Sequence, residues 1–403
     1  MGTIFFLALL AVFGAANLVW WRVVDRRLRP WAGGSGGCAA AWRWGVGVFV
    51  GGMLAYLVVV GFMGAGRWLP MPVHVFAYLW NLIVLPGTLF VLGGVKIGEG
   101  LKRVKRAREK NPAENERRAA ELASLPTRRR ALGMGVAALA AAPMAGIGLT
   151  AFAEAQLGTF RIRRMVLPVA GLPGDLEGIT IAHVTDSHIG RFLPAGTTGR
   201  IVEAVRGLGA DIVAFTGDAM DASQRDIGPV IEFLRELRPS GVRSDAYAIV
   251  EGNHDVSHGA GWFESPVLGA GLPLLLDRSK VVRLPGRATP IWLGGITWGR
   301  LAPGRQLGQL GEAGRRMMRK NDDAAMAESV ATVAAQRRAG AQGAFPILLV
   351  HHPHAFDPAA AHGFPLILAG HTHGGQIMLT RNIGAGPLRF RYWSGVHRIG
   401  DSR

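Results

Sequence analysis

Seven residues carrying the donor atoms of metal ligands recur in order through the C-terminal half of this 403-residue chain. They fall in five clusters: Asp186-Ser187-His188, Gly217-Asp218, Gly252-Asn253-His254-Asp255, His351, and Gly370-His371-Thr372-His373-Gly374-Gly375-Gln376. Phosphate esters resist hydrolysis because the phosphoryl oxygens repel an incoming hydroxide, so a site that cleaves them needs positive charge on both faces of the displacement. Two divalent ions ~3.5–4 Å apart supply that charge. A carboxylate shared between them, with imidazole, carboxylate and amide oxygen completing each set of ligands, suits divalent first-row metals. A lone Asp-x-His or Gly-Asp arises often by chance; all five clusters in sequence do not. The chemistry they point to is metal-dependent phosphoester hydrolysis.

The surrounding sequence explains how such residues could meet. Short apolar runs alternate with Gly-bearing turns and amphipathic stretches from about Arg161 onward. Ile179–Thr185, Ile212–Thr216 and Ala246–Val250 read as buried strands, as do Ile291–Ile296, Ile347–Val350 and Leu366–Ala369. Gly199–Leu208 and Pro229–Leu237 have helical spacing. The pattern is α/β, and the candidate ligands fall immediately after strands, where open α/β sheets place their sites. Two further histidines lie close by. His183, inside the first strand, reads as a core or supporting residue, and His352 as a neighbour of the ligand His351.

The ordered clusters, with Gly-Asn-His-Asp and Gly-His-Thr-His complete, resemble the calcineurin-like metallophosphoesterase family, in particular its membrane-associated branch ending in Gly-His-Thr-His-Gly-Gly-Gln. The resemblance spans about residues 160–400 and implies a four-layer αββα sandwich. It implies that Asp186, His188, Asp218 and His373 hold one metal ion, and that Asp218, Asn253, His351 and His371 hold a second, with Asp218 bridging. By the same resemblance His254 faces the substrate phosphate, Asp255 orients it, and the nucleophile is a metal-bridging hydroxide. The two ions are manganese, iron or zinc across the family. The resemblance also implies further strands after Tyr392-Trp393-Ser394-Gly395 that complete the second sheet, so a domain ending at Arg403 is expected to be incomplete.

The N-terminal part has a different texture. A mean hydropathy of +0.23 with 18% charged residues is too apolar for a wholly soluble protein. The net charge of +17 is unevenly spread: residues 1–155 carry 18 Lys and Arg against 7 Asp and Glu, and residues 156–403 carry 27 against 21. Most of the excess lies beside apolar segments, where basic residues set membrane topology. These segments run roughly Thr3–Trp21, Gly45–Met63, Val73–Val95 and Ala131–Ala155, each close to the ~20 residues a helix needs to cross ~30 Å of hydrocarbon. Trp20, Trp21, Trp42, Trp44 and Trp68 fall near their ends, as interfacial aromatics do.

The domain plan is therefore three transmembrane helices in 1–100, a basic cytoplasmic linker in 101–130, a fourth transmembrane or signal-like helix in 131–155, and the α/β domain in 156–403. Basic residues in the loops at 22–43 and 96–130 place both loops in the cytoplasm. The catalytic domain then faces outward from a bacterial plasma membrane. A single cysteine, Cys38, excludes an intrachain disulfide framework. Residues 299–340 form a charged, Ala-rich helical insertion.

An anchored enzyme meets membrane lipids and lipid-linked or envelope phosphoesters, both phosphomonoesters and phosphodiesters. No nucleic-acid partner is expected, because the C-terminal domain is only modestly basic and has no aromatic, basic single-strand platform. The competing class is a non-catalytic membrane protein that uses a truncated domain of this kind for binding.

Overall fold

The computed structural model describes residues 2–28, 38–62, 69–90, 126–190, 193, 196–221, 223–239, 245–257, 259–298, 312–340, 343–375 and 386–403. The expected linker up to 125, the start of the insertion at 299–311 and Gln376 of the last cluster lie outside them. The chain divides into two units, Met1–Thr159 and Phe160–Arg403.

All four apolar segments of the first unit are helical, over Gly2–Leu28, Cys38–Phe62, Met71–Phe90 and Pro126–Leu157. Among the described residues, Met71–Phe90 is long and apolar enough to cross a membrane, and Trp44–Val58 is a shorter apolar stretch. Within Met71–Phe90 the backbone widens into a π turn at Trp80–Val84. That turn presents Trp80 and Asn81 to the bundle core. Trp80 Nε1 donates to Asn17 Oδ1 (2.8 Å), and Asn17 Nδ2 donates to Asn81 Oδ1 (3.0 Å). A buried amide must find partners or forfeit its hydration, so this chain of bonds sets the register of the two helices.

The second unit is built on two sheets. In the first, β1 (Ile181–Val184), β2 (Ile212–Thr216) and β3 (Tyr247–Val250) run parallel in the order β1-β2-β3. The second has the order β4 (Arg278–Val282), β5 (Ile291–Gly295), β6 (Phe345–Leu349), β7 (Leu366–Leu368). There β4 is antiparallel to β5 and the remaining pairs are parallel. Every residue of β2, β3, β5 and β6 is buried, as expected of strands covered on both faces. The edge strand β4 is largely polar and escaped sequence reading for that reason.

Side chains from both sheets share one core, with Ala214, Ala248 and Val250 from the first and Leu293, Ile347 and Leu349 from the second. The other face of the first sheet, including Val213 and Phe215, packs on Val202, Val230, Phe233 and Phe263 of the helices Thr197–Gly207, Ile227–Glu236 and Gly261–Gly269. On the far face of the second sheet, Trp292 and Leu348 pack on Met326, Val330 and Val333 of the helix Glu312–Gly340. Each such side chain, fully buried, contributes roughly 1.5–3 kcal/mol relative to exposure. Helix spacing explains the fit: Val230, Phe233 and Leu234 stand three and four residues apart and fall on one face. The described part of the insertion is thus one helix, with Met326 spent on packing against the sheet.

Candidate metal centre

The parallel strands leave their carboxyl ends together, and each of the five clusters sits at one of them. Asp186 and His188 follow β1, Asp218 follows β2, Asn253 and His254 follow β3, His351 follows β6, and His371 and His373 follow β7. Among the described residues six non-glycine residues have positive φ, and five of these are Asp186 (52°), His188 (43°), Asp218 (53°), His371 (72°) and His373 (47°). Side chains other than glycine enter this left-handed region at a penalty. Here it is enforced by bonds between neighbouring strand ends: Asp186 N donates to Gly217 O (2.9 Å) and His188 N to Asp218 O (3.0 Å). The strained turns aim all five side chains into the same space.

Two of the motif glycines are required by close approach. A Cβ at Gly252 would overlap Asp218 Oδ1, and one at Gly370 would overlap Thr185 Oγ1 and Asp186 Oδ2. In their place backbone amides bind the carboxylates. His254 N donates to Asp218 Oδ1 (2.8 Å), and His371 N donates to both oxygens of Asp186 (3.0 Å each).

The side chains form two groups that share Asp218. Asp186, His188, Asp218 and His373 converge in one, and Asp218, His351 and His371 in the other. In the first, His188 Nε2 lies 3.0 Å from His373 Nε2 and 3.6 Å from Asp218 Oδ2, and His373 Nε2 lies 3.3 Å from Asp186 Oδ1. First-row ions hold such donors at about 2.0–2.2 Å, which sets neighbouring donors about 3.0–3.5 Å apart. In the second, Asn253 Oδ1 is 2.8 Å from His371 Nδ1, so the amide oxygen adjoins that group.

Tautomers give a sharper test of fit. His351 Nδ1 lies 2.7 Å from the Thr216 carbonyl, which can only accept, so the proton of the neutral ring is on Nδ1. The buried Nε2 has no hydrogen bond and lies 3.2 Å from Asp218 Oδ2. Two lone pairs facing each other across a buried gap repel unless a cation or a proton lies between them. The donor set and this orphaned nitrogen both fit a divalent ion.

Electrostatics follow from the same crowding. Burial pushes the Asp218 carboxyl up, but His351, the His254 amide and His188 outweigh it and hold it below the usual carboxylate range. Burial pulls His351 down, and the Asp218 carboxylate reverses this and raises it. Burial and the neighbouring His351 lower His371 to about 4, and burial lowers His188. Both shifts favour the neutral ring, the form a metal requires.

His254 sits beside the first group, its ring edge-on to His188 at 4.5 Å. Its Nδ1 donates to the backbone carbonyl of Asp221, leaving Nε2 to meet a ligand. This corrects the expectation that Asp255 orients His254. The Asp255 carboxylate instead accepts from Met220 N (3.0 Å) and Gly252 N (2.8 Å), bracing the loops after β2 and β3 against each other. Complete burial, with Asp218 nearby, raises it to about 7. His352 belongs to neither group; its ring lies 4.5 Å from that of His371, and its Nδ1 accepts from His354 N (3.1 Å). His183 Nε2 meets Thr216 Oγ1 at 2.7 Å.

Two residues in the site were not read from sequence. Asp221 supplies the carbonyl that holds His254, and its carboxylate forms a further group with His188 and His254. Its place three residues after Asp218 was the available signal. Trp298 belongs to no motif, yet its indole lies 5.0–5.4 Å from the rings of His351, His352 and His371.

Strand ends that carry carboxylate, imidazole and amide donors around one shared aspartate define a class of metal-dependent phosphoesterase domains. Residues 179–375, just under half of the chain, match the calcineurin-like phosphoesterase family. It is 29% identical over 215 residues to a transmembrane protein with metallophosphoesterase domain from Danio rerio, a match covering 52% of this chain and 44% of that protein. It is 24% identical over 221 residues to an uncharacterized metallophosphoesterase of Campylobacter jejuni, covering 55% and 50% respectively. The chain thus matches about half the length of these relatives.

Proposed function

We propose that the chain is a membrane-anchored, metal-dependent phosphoesterase acting on phosphomonoesters or phosphodiesters, with lipid-linked or envelope esters as its substrates. The observation that carries the reading is the sharing of Asp218 between two groups of metal-ligating side chains. In this reading Asp186, His188, Asp218 and His373 hold one divalent ion and Asp218, Asn253, His351 and His371 hold another. Such ions supply the positive charge that lets a nucleophile approach a phosphoryl group, and they make water more acidic.

The chain's own residues do the rest. The His254 amide fixes Asp218 through Oδ1, so that Oδ2 is the oxygen turned toward His188 and His351. Thr185 Oγ1 and the His371 amide fix Asp186. With Nδ1–H on the Asp221 carbonyl, a doubly protonated His254 carries its second proton on Nε2 and can deliver it to the leaving oxygen. The core shared by the two sheets and the helices on their outer faces support an αββα arrangement.

Purified protein is expected to hydrolyse bis(p-nitrophenyl) phosphate only with added divalent metal, manganese being the first choice. Full activity after exhaustive chelation, verified by metal analysis, would overturn the reading. The anchor is supported by the apolar helix Met71–Phe90 and by the name of the zebrafish relative. With four spans, a reporter fused after Arg161 should read outside the cytoplasm and one fused between 102 and 118 should read inside. Both fusions reporting the same side would show that Pro126–Leu157 does not cross.

A further inference from the structure

Trp298 is the one large aromatic side chain, among the described residues, that contacts three histidines of the site, and neither the metal ligands nor the cores account for it. It follows β5, where the backbone is held at several points. Its own N–H donates to Glu251 Oε1 (2.9 Å). The preceding Thr297 donates through N and Oγ1 to the two oxygens of Asp277 (2.9 and 3.0 Å). Asp277 is itself held in the left-handed region at φ 51°, where Gln336 Nε2 donates to its carbonyl (2.8 Å). The indole therefore projects from a fixed base.

The ring is half-buried. Its neighbours His351, His352 and His371 are inclined to it by 62°, 48° and 44°, so none stacks parallel on it. An indole has no lone pair to give an ion; what it offers is a polarisable face and one N–H donor. Small-molecule sites combine such apolar walls with a few polar groups that fix orientation. A phosphoryl group over Asp218, His351 and His371 would carry its ester substituent within reach of this face.

We propose that Trp298 is the subsite for the organic group esterified to the substrate phosphate, and that it selects a flat, cyclic substituent over a short alkyl one. The inference rests on the phosphoesterase reading and names the substrate class of that site: phosphoesters of aromatic or planar ring groups. Two unreactive probes test it, phenylphosphonate and methylphosphonate, titrated calorimetrically into the full-length, manganese-loaded protein. The wild type should bind phenylphosphonate roughly tenfold more tightly, the size expected of one ring stacked on an aromatic side chain. Trp298→Ala should bring that ratio close to one by weakening phenylphosphonate alone, with metal content unchanged, and Trp298→Phe should keep part of the preference.

The proposal is overturned if the wild type binds neither probe or does not discriminate between them. It is equally overturned if the ratio survives in Trp298→Ala, or if that variant loses both probes together with metal, which would make the indole a prop for the histidines. Hydrolysis of bis(p-nitrophenyl) phosphate by the wild type, measured in parallel, separates this outcome from the fate of the phosphoesterase reading. A wild type that binds the probes but cleaves no ester defeats only that reading, and the phenyl-to-methyl ratio still decides the role of Trp298.

Discussion

Replacing Asp218 by alanine is expected to empty both metal positions and reduce phosphodiester hydrolysis to background. The residue is buried, and its Oδ2 stands 3.6 Å from His188 Nε2 and 3.2 Å from His351 Nε2, one ring from each group. Loss of an outer partner of a metal ligand lowers affinity roughly 10–100-fold. Loss of a ligand common to both positions should exceed that at each of them. Asp218→Asn provides the control for folding, since its amide oxygen can still accept from the His254 amide while the negative charge is gone. It should keep the wild-type circular dichroism spectrum and still bind metal poorly. Metal analysis after dialysis is the measurement, and an alanine variant that retains two equivalents of metal and wild-type turnover refutes the shared role.

His254→Ala should behave in the opposite way toward metal. The contact from residue 254 to Asp218 runs through the backbone amide, which alanine also possesses, so the shared carboxylate stays in place. What disappears is a ring held through Nδ1 by the Asp221 carbonyl, with Nε2 available for proton transfer. Turnover should fall by the ~10²–10⁴-fold typical of a lost general acid or base, with metal content at the wild-type level. An ester with a good leaving group, which needs little protonation, should show a smaller loss, limited to the part due to stabilising transition-state charge. A fall in metal content instead would make His254 a ligand, acting with His188 and Asp221.

Much of the site was legible in the sequence because its donors are of few types and follow strands that read as continuous apolar runs. Ile212–Thr216 is buried throughout, and the residues just after it could only emerge at a sheet end. The glycines of Gly-Asn-His-Asp and Gly-His-Thr-His were visible as motif members; the close approach that excludes a Cβ at Gly252 and Gly370 was not. β4 was missed because an edge strand can be polar and leave no alternating signal, and the helix Gly261–Gly269 because Pro266 interrupts the expected spacing.

By itself the sequence determined the order of the candidate ligands, the α/β character of the second unit and the apolar helical character of the first. Those properties are written in residue type and local periodicity, which need no partner to be read. Only the tertiary structure decided that the Asp221 carbonyl rather than the Asp255 carboxylate holds His254, that five site residues are driven to positive φ, and that Trp298 lies against the histidines. Each of these is a contact between segments that leave different strands, with Trp298 53 positions before His351 and 73 before His371. Such contacts arise from how strands within each sheet bring their carboxyl ends together, a relation that local spacing does not carry.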